Sequence, residues 1–277
     1  MIYLGPAGIP LSSRERSTLG GLRRVAELGL NAMEIEFVRG VAMSNEMADE
    51  VGDLAKELNI LLSVHCPYFI NLNSSDRKKL EASKKRILDS AERAFHMGAH
   101  IVVFHPGYYG SKTPEATFDS IMEACEDMLD HMRSAGIKKV ALGLETTGKV
   151  SQFGTLDEIV RLCGRVRGCE PVVDFAHLWA RNAGKIDYEE IFKKLSPLKL
   201  KLLHCHFTSM EWTPAKIDGY GNEKRHLPIE FDEPPFKPLA KRILKQKMDV
   251  TLISESPVLE QDSLTMKKVF EELGYRF

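Results

Sequence analysis

The sequence predicts a single-domain α/β protein folded as a closed (β/α)8 (TIM) barrel. Three observations carry this expectation. Eight short β-branched or aliphatic runs alternate with eight longer amphipathic segments, no Pro/Gly/Ser-rich or low-complexity linker divides the 277 residues, and most runs end in a polar residue. In order, IYL at 2–4 leads into helical periodicity over 17–28, AMEIEF at 32–37 into 43–58, and ILLSVH at 60–65 into 75–97. IVVFH at 101–105 precedes a helix over 114–134, and VALGLE at 140–145 one over 155–163. PVVD at 171–174, KLKLLHCH at 199–206 and VTLISE at 250–255 are followed by helical patterns over 188–194, 235–245 and 263–273. Each run has strand length, and each longer segment keeps one apolar face. The competing architecture is a doubly wound open sheet, but neither GxGxxG nor GxxxxGK[ST] follows any strand.

The composition excludes several classes. With 43% hydrophobic and 28% charged residues, the chain is neither disordered, collagen-like nor a coiled coil. A chain of this size buries roughly 75% of its unfolded surface, so any metal it carries is expected to serve chemistry and not folding. The 38 Lys+Arg against 39 Asp+Glu argue against polyanion binding by the whole surface, leaving room for a local groove. Clusters such as Arg77-Lys78-Lys79, Lys84-Lys85-Arg86, Lys193-Lys194 and Lys224-Arg225 read as solvated helix faces or loops. The N-terminus lacks a basic segment followed by an apolar run, and no stretch approaches the roughly 18 apolar residues of a membrane span. A cytoplasmic monomer without membrane contact is expected. The five cysteines (Cys66, Cys125, Cys163, Cys169, Cys205) have neither CxxC nor CxxCH spacing and read as reduced, mostly buried thiols.

Six of the eight predicted strands end in potential metal ligands. They are His65, His105, Glu145, Asp174 with His177, His204 with His206, and Glu255. A lone histidine after an apolar strand is more often a hydrogen-bonded core residue than a ligand. The combination reads differently, because Glu145, Asp174 and Glu255 each follow an apolar strand and unpaired acids are rarely buried. In a barrel the C-terminal strand ends converge on one face, so residues from 65 to 255 would meet in one pocket. Imidazole and carboxylate ligands without thiolates suit Zn2+ or Mn2+. His96, His100 and His131 fall in or beside helical patterns and read as structural or surface residues. Cys66 and Cys205 neighbour candidate ligands, but strand alternation points them to the opposite side.

HCPYFINLNSS at 65–75, HPG at 105–107, LETTGK at 144–149, DFAH at 174–177 and SESP at 254–257 follow one another along the chain, and through them nearly the whole chain resembles the endonuclease IV family of apurinic/apyrimidinic endonucleases, within the wider xylose-isomerase-like group of barrels. HCPYFINLNSS resembles that family's His-x-Pro-Tyr-x-x-Asn-Leu segment, HPG its second histidine motif, and LETTGK its Glu-Asn/Thr-Thr strand end. DFAH is similar to its Asp-x-x-His, and SESP to its final glutamate motif. The resemblance implies a cluster of two or three Zn2+ ions, with Mn2+ an alternative at one site. It implies as ligands His65, His105, Glu145, Asp174, His177, His206, His226 and Glu255. His204 is held in reserve for His206. The family's Asp-x-His is replaced by Asn222-Glu223-Lys224-Arg225-His226: aligning His226 puts Lys224 at the aspartate position, with Glu223 one residue away.

The activity so implied is hydrolysis of the phosphodiester 5′ to an abasic site in double-stranded DNA, leaving a 3′-hydroxyl, by a metal-activated hydroxide. Glu145 and Glu255 would be the catalytic carboxylates, and Tyr68 would line the pocket or bond a phosphate. Tyr108, Tyr109, Trp179 and Trp212 are placed in barrel loops as candidate wedges for extruding the sugar. The alternative is a sugar isomerase or epimerase holding one divalent ion through Glu145, Asp174, His206 and Glu255. His65 and His105 would then be spare. A catalytically silent binding barrel is a third reading, and would require a broken ligand set.

Overall fold

A computed structural model describes all 277 residues. In chain order the elements are β1 (Ile2–Pro6), α1 (Thr18–Glu27), β2 (Ala32–Glu36), α2 (Asn45–Glu57), β3 (Leu61–His65), α3 (Arg77–His96) and β4 (Ile101–Phe104). The two-residue β5 (Gly107–Tyr108), α4 (Pro114–Ser134), β6 (Ala141–Glu145), β7 (Gln152–Phe153), α5 (Leu156–Arg165), β8 (Cys169–Asp174), α6 (Phe175–Arg181) and α7 (Tyr188–Leu195) follow. The last third holds β9 (Leu202–Phe207), β10 (Ser209–Pro214), β11 (Gly221–Leu227), α8 (Phe236–Ile243), β12 (Asp249–Ser254) and α9 (Glu260–Glu272). Eight parallel strands run in the order β1-β12-β9-β8-β6-β4-β3-β2.

Closure between β1 and β2 uses a side chain where the ladder is short. Asn31 Oδ1 accepts the Leu4 N–H at 2.7 Å and its Nδ2 donates to the Ile2 carbonyl, while Gly8 N donates to Glu34 O. The strands approach so tightly that a Cβ on Gly5 would lie 1.7 Å from the Ala32 carbonyl oxygen, so no other residue fits there.

All eight predicted strands and eight predicted helices are present, with ends displaced by a few residues: His105 and Glu255 lie just past their strands, and α9 starts at Glu260. Six helices begin where Ser17, Ser44, Asp76, Thr113, Thr155 and Asp187 accept N-terminal N–H groups. Three features were not predicted: the short helix α6, the antiparallel β10–β11 hairpin and the small β5–β7 pair. The β5–β7 and β10–β11 pairs extend from the C-terminal ends of barrel strands, and α6 follows β8 directly.

A large apolar core lies between the strands and the helices, and contains Cys66 and Cys205, which accordingly point away from the barrel axis. None of the five cysteines is disulfide-bonded, and four are buried. Inside the barrel, a small separate cluster of Ile101, Val103 and Val172 fills one half. The opposite half is polar: Glu34, Ser63, His204 and Thr251 are all buried. No helix is long and apolar enough to cross a membrane.

Candidate metal centre

The C-terminal ends of the strands surround a cleft of about 720 Å³ whose wall includes His65, His105, His177, His226, Glu223 and Glu255. Glu145, at the end of β6, is fully buried behind this wall, in contact with several of its histidines. One of its oxygens, Oε2, is 3.3 Å from His65 Nε2 and 3.0 Å from His105 Nε2. The other, Oε1, is 3.2 Å from His177 Nδ1 and 3.4 Å from His206 Nδ1. His206 Nδ1 is also 3.1 Å from Glu255 Oε1. Two compact donor groups therefore share Glu145: His65, His105 and Glu145, and Glu145, Asp174, His206 and Glu255.

Asp174, His177 and His226 also stand at these strand ends, whereas the reserve candidate His204 does not join them. Asp174 caps α6 through Oδ1, which accepts the His177 N–H at 2.7 Å, and leaves Oδ2 buried without a hydrogen bond. The same cap aims His177, whose Nδ1 lies 3.0 Å from the Thr146 carbonyl and whose Nε2 is 3.2 Å from Glu223 Oε2. His226 lies 5.8 Å, ring to ring, from His177. His204 faces away from this group and toward Glu34.

The Lys224 discrepancy is resolved by a β-bulge. Glu211 of β10 pairs with Arg225, but its neighbour Trp212 pairs with Glu223, so Lys224 is the extra residue in β11. Lys224 and Arg225 both turn outward onto Glu211, and Glu223 and His226 both turn into the cleft. Glu223 thus occupies the position that simple strand alternation would give to Lys224. Its bed is Gly148 in the loop after β6, where a Cβ would lie 2.1 Å from Glu223 Oε2. Buried Arg181 holds that loop by donating to the Thr147, Lys149 and Gln152 carbonyls.

The donor set fits divalent cations. The carbonyl oxygens opposite Nδ1 of His65 (Cys66), His177 (Thr146) and His226 (Glu255) can only accept, so each of these rings keeps a proton on Nδ1 and would offer Nε2 to a cation. Fixing the tautomer through the remote nitrogen is the usual arrangement of metal-binding histidines. Buried carboxylate oxygens without hydrogen bonds, such as Asp174 Oδ2 and Glu223 Oε2, supply the opposite charge.

Protons balance the acids where cations would. Burial would push the Glu145 carboxyl up, but His105 and His206 outweigh it and hold it well below its ordinary range. Burial likewise opposes protonation of His65, but Glu36 and Glu145 prevail and raise it to about 10. His177 and His206 are raised for the same reason, by Asp174 and Glu223 and by Glu255 and Glu34 respectively. Glu36, in the cleft wall, is pushed up to about 8 by burial.

Sequence reasoning missed Glu34, Glu36 and the inward aim of Glu223. Most of the wedge candidates are engaged elsewhere. Tyr109 is tied through its hydroxyl to Glu158, Trp179 lies on α6 and not in a loop, and Trp212 packs with it on the hairpin against Met210. Only Tyr108 stands at the mouth, where Tyr68 is 57% and Phe69 81% exposed. Phe69 has φ +68°, a conformation disfavoured for an aromatic residue, which turns its ring outward.

Residues 22–272 match the sequence model of the xylose isomerase-like TIM barrel family. An uncharacterised protein of Methanocaldococcus jannaschii is 34% identical over 281 residues, covering 99% of this chain and 98% of that protein. A probable endonuclease 4 of Mycoplasma mobile is 25% identical over 222 residues, 76% of this chain and 74% of the relative. Among solved structures, endonuclease IV from Thermus thermophilus superposes with a TM-score of 0.68 at 20% identity, covering 96% of this chain and 98% of the other. A D-tagatose 3-epimerase-like protein superposes equally well, at 0.69 and 17% identity, covering 96% of both chains. The chain belongs to the xylose isomerase-like TIM barrel family.

Proposed function

We propose that this protein is a metal-dependent endonuclease acting on abasic sites in double-stranded DNA, cleaving the phosphodiester on the 5′ side to leave a 3′-hydroxyl. The observation that carries the reading is the sharing of Glu145 between two donor groups, with Glu223 Oε2 3.2 Å from His177 Nε2 and the His226 ring 5.8 Å from that of His177 beside them. A sugar isomerase or epimerase needs one divalent ion, for which Glu145, Asp174, His206 and Glu255 suffice. Here His65, His105, His177, Glu223 and His226 are also directed into the cleft, as a multinuclear centre requires. The similarity to endonuclease 4 sequences supports the same choice.

His65, His105 and Glu145 would hold one ion, Glu145, Asp174, His206 and Glu255 a second, and His177, Glu223 and His226 a third. Two or three Zn2+ ions, with Mn2+ an alternative at one position, would supply Lewis acidity toward phosphate oxygens and lower the pKa of water. The chain's own contribution is orientation and exclusion of solvent. Glu145 and Glu255 fix the geometry at the base of the cleft, and the neutral histidines leave the positive field of the centre undiminished. Tyr68 lines the same cleft as His65 and would offer its hydroxyl to a phosphate. Phe69 and Tyr108 present apolar area at the mouth, suited to filling the gap left when an abasic sugar leaves the duplex. We place the protein in the cytoplasm, acting as a monomer.

The test is incision of a labelled duplex containing one stable abasic analogue, by protein reloaded with Zn2+ or Mn2+. Cleavage at the lesion with a 3′-hydroxyl end is expected. Phe69→Ala should lower kcat/KM on the duplex by about tenfold, the value of roughly 1.4 kcal/mol of lost stacking, and leave the metal content unchanged. Replacement of His105 by Ala should cripple a nuclease and spare a single-ion epimerase. Absence of incision with about one ion per chain would move the assignment to the sugar isomerases.

Gly148 supplies a steric test of the third group. Gly148→Ala puts a methyl on the Glu223 carboxylate, so the carboxylate is expected to leave His177. Bound zinc should fall by one ion per chain and incision by about 10–100-fold, with the melting temperature little changed. Unaltered zinc content would mean that Glu223 is not a ligand.

A further inference from the structure

Directly beneath the metal centre, the polar half of the barrel interior is organised around one acid. Glu34, on β2, is fully buried. Its Oε2 accepts the Ser63 hydroxyl at 2.7 Å and lies 3.0 Å from His204 Nε2. Its Oε1 lies 2.9 Å from His206 Nε2, without the straight alignment of an N–H···O bond, and neither atom has another partner. His206 is therefore gripped from two sides: Nδ1 faces Glu145 and Glu255, and Nε2 faces Glu34.

An imidazole that ligates a cation through Nδ1 must carry its proton on Nε2. The other histidines of the centre whose remote proton is placed give it to backbone carbonyls. His206 has only the Glu34 carboxylate within reach. A buried carboxylate next to a histidine is costly unless it collects several donors, and Glu34 does so from Ser63 and His204.

We propose that Glu34 is a positioning residue for metal binding: it holds His206 as the Nε2–H tautomer aimed at the Glu145, Asp174 and Glu255 group, and His204 is not a ligand but the clamp on the other Glu34 oxygen. The inference rests on the proposed metal centre, though not on the identity of its substrate. A cation bound among Glu34, His204 and His206 is the competing arrangement. It would leave a proton on His204 Nδ1, which is buried and has no acceptor, and it would require His206 to bind through both nitrogens.

Two measurements test it. In the zinc-loaded protein, long-range 1H–15N correlation should find the His206 proton on Nε2 and that of His204 also on Nε2. A His206 ring protonated at Nδ1, or with neither nitrogen protonated, overturns the proposal. In Glu34→Gln the carboxylate is replaced by a group with one acceptor, which cannot satisfy both histidines. Zinc titration against a competing chelator should then show one ion weakened by about 10–100-fold, with the ion at His65 and His105 retained. The visible spectrum of the cobalt-loaded variant should change accordingly. Equal affinity for every ion and an unchanged cobalt spectrum overturn the proposal even if the variant incises DNA. Wild-type protein that binds zinc in this way but fails to incise leaves Glu34 in its role and removes the nuclease reading alone. Wild-type protein that binds no metal removes both.

Discussion

Glu145→Gln is expected to lower incision by at least about a thousandfold and to strip two ions from the centre. The carboxylate is fully buried, and each of its oxygens faces two imidazole nitrogens at 3.0 to 3.4 Å. Glutamine keeps the volume, removes the charge, and turns one acceptor into an NH2 group that opposes either cations or protonated histidines. Both donor groups that share Glu145 lose their common anion, and about 4 kcal/mol of lost stabilisation in the transition state corresponds to the thousandfold drop. The same change acts on folding. Removing one partner from a buried charge network leaves the others uncompensated, typically at about 3–5 kcal/mol, so the chelator-treated variant should also melt below the wild type. Elemental analysis, a melting curve and the incision assay together check this. A variant that still carries its full complement of ions would show that Glu145 is not shared between them.

The part of the centre that the sequence reveals follows from barrel geometry. Strands covered on both faces read as nearly continuous apolar runs, so an acid or histidine closing such a run stands out, as His65, His105, Glu145 and Asp174 do. Glu34 and Glu36 do not stand out. In AMEIE the acids alternate with Met33 and Ile35, the pattern of a half-exposed strand with its charges in water. In the structure the faces are the other way round: Met33 and Ile35 pack outward beneath the helices and the acids point into the barrel. The available signal was the contrast with other barrel strands, whose inward positions below the rim are filled by residues such as Val103 and Val172.

The hairpin was illegible for a different reason. A single extra residue exchanges the two faces of a strand, and nothing local in Glu223-Lys224-Arg225-His226 indicates which residue is extra. The answer lies in Gly148 and Glu211, which are distant in sequence and receive Glu223 on one side and Lys224 and Arg225 on the other. Likewise Asp174 looked like a strand-end ligand alone, but its second oxygen also starts α6, and that helix is what delivers His177. Dual use of one carboxylate is a tertiary fact that a strand-by-strand reading does not contain.

Chelator-treated protein is expected to lose stability as pH rises from about 6.5 to 10, while its affinity for zinc increases over the same range. His65 has its folded pKa raised to about 10, so the stability it contributes is fully present below 6.5 and lost on passing 10. Glu36 is raised to about 8; between its ordinary value and 8 the folded protein keeps a proton that the unfolded chain has released, and stability again falls with rising pH. A tenfold change in proton affinity between the folded and unfolded states corresponds to about 1.4 kcal/mol, so a fall in melting temperature on the order of 10 °C is expected across this window. Zinc reverses the dependence. An ion bound to His65 Nε2 takes the place of a proton, so binding releases protons and tightens as pH rises. Calorimetric melting with chelator and with zinc, from pH 6 to 9.5, should therefore give two curves that diverge. Parallel curves would mean that the ion does not compete with the His65 proton, and that the imidazole–carboxylate pairs at the strand ends are structural and do not mark a metal centre.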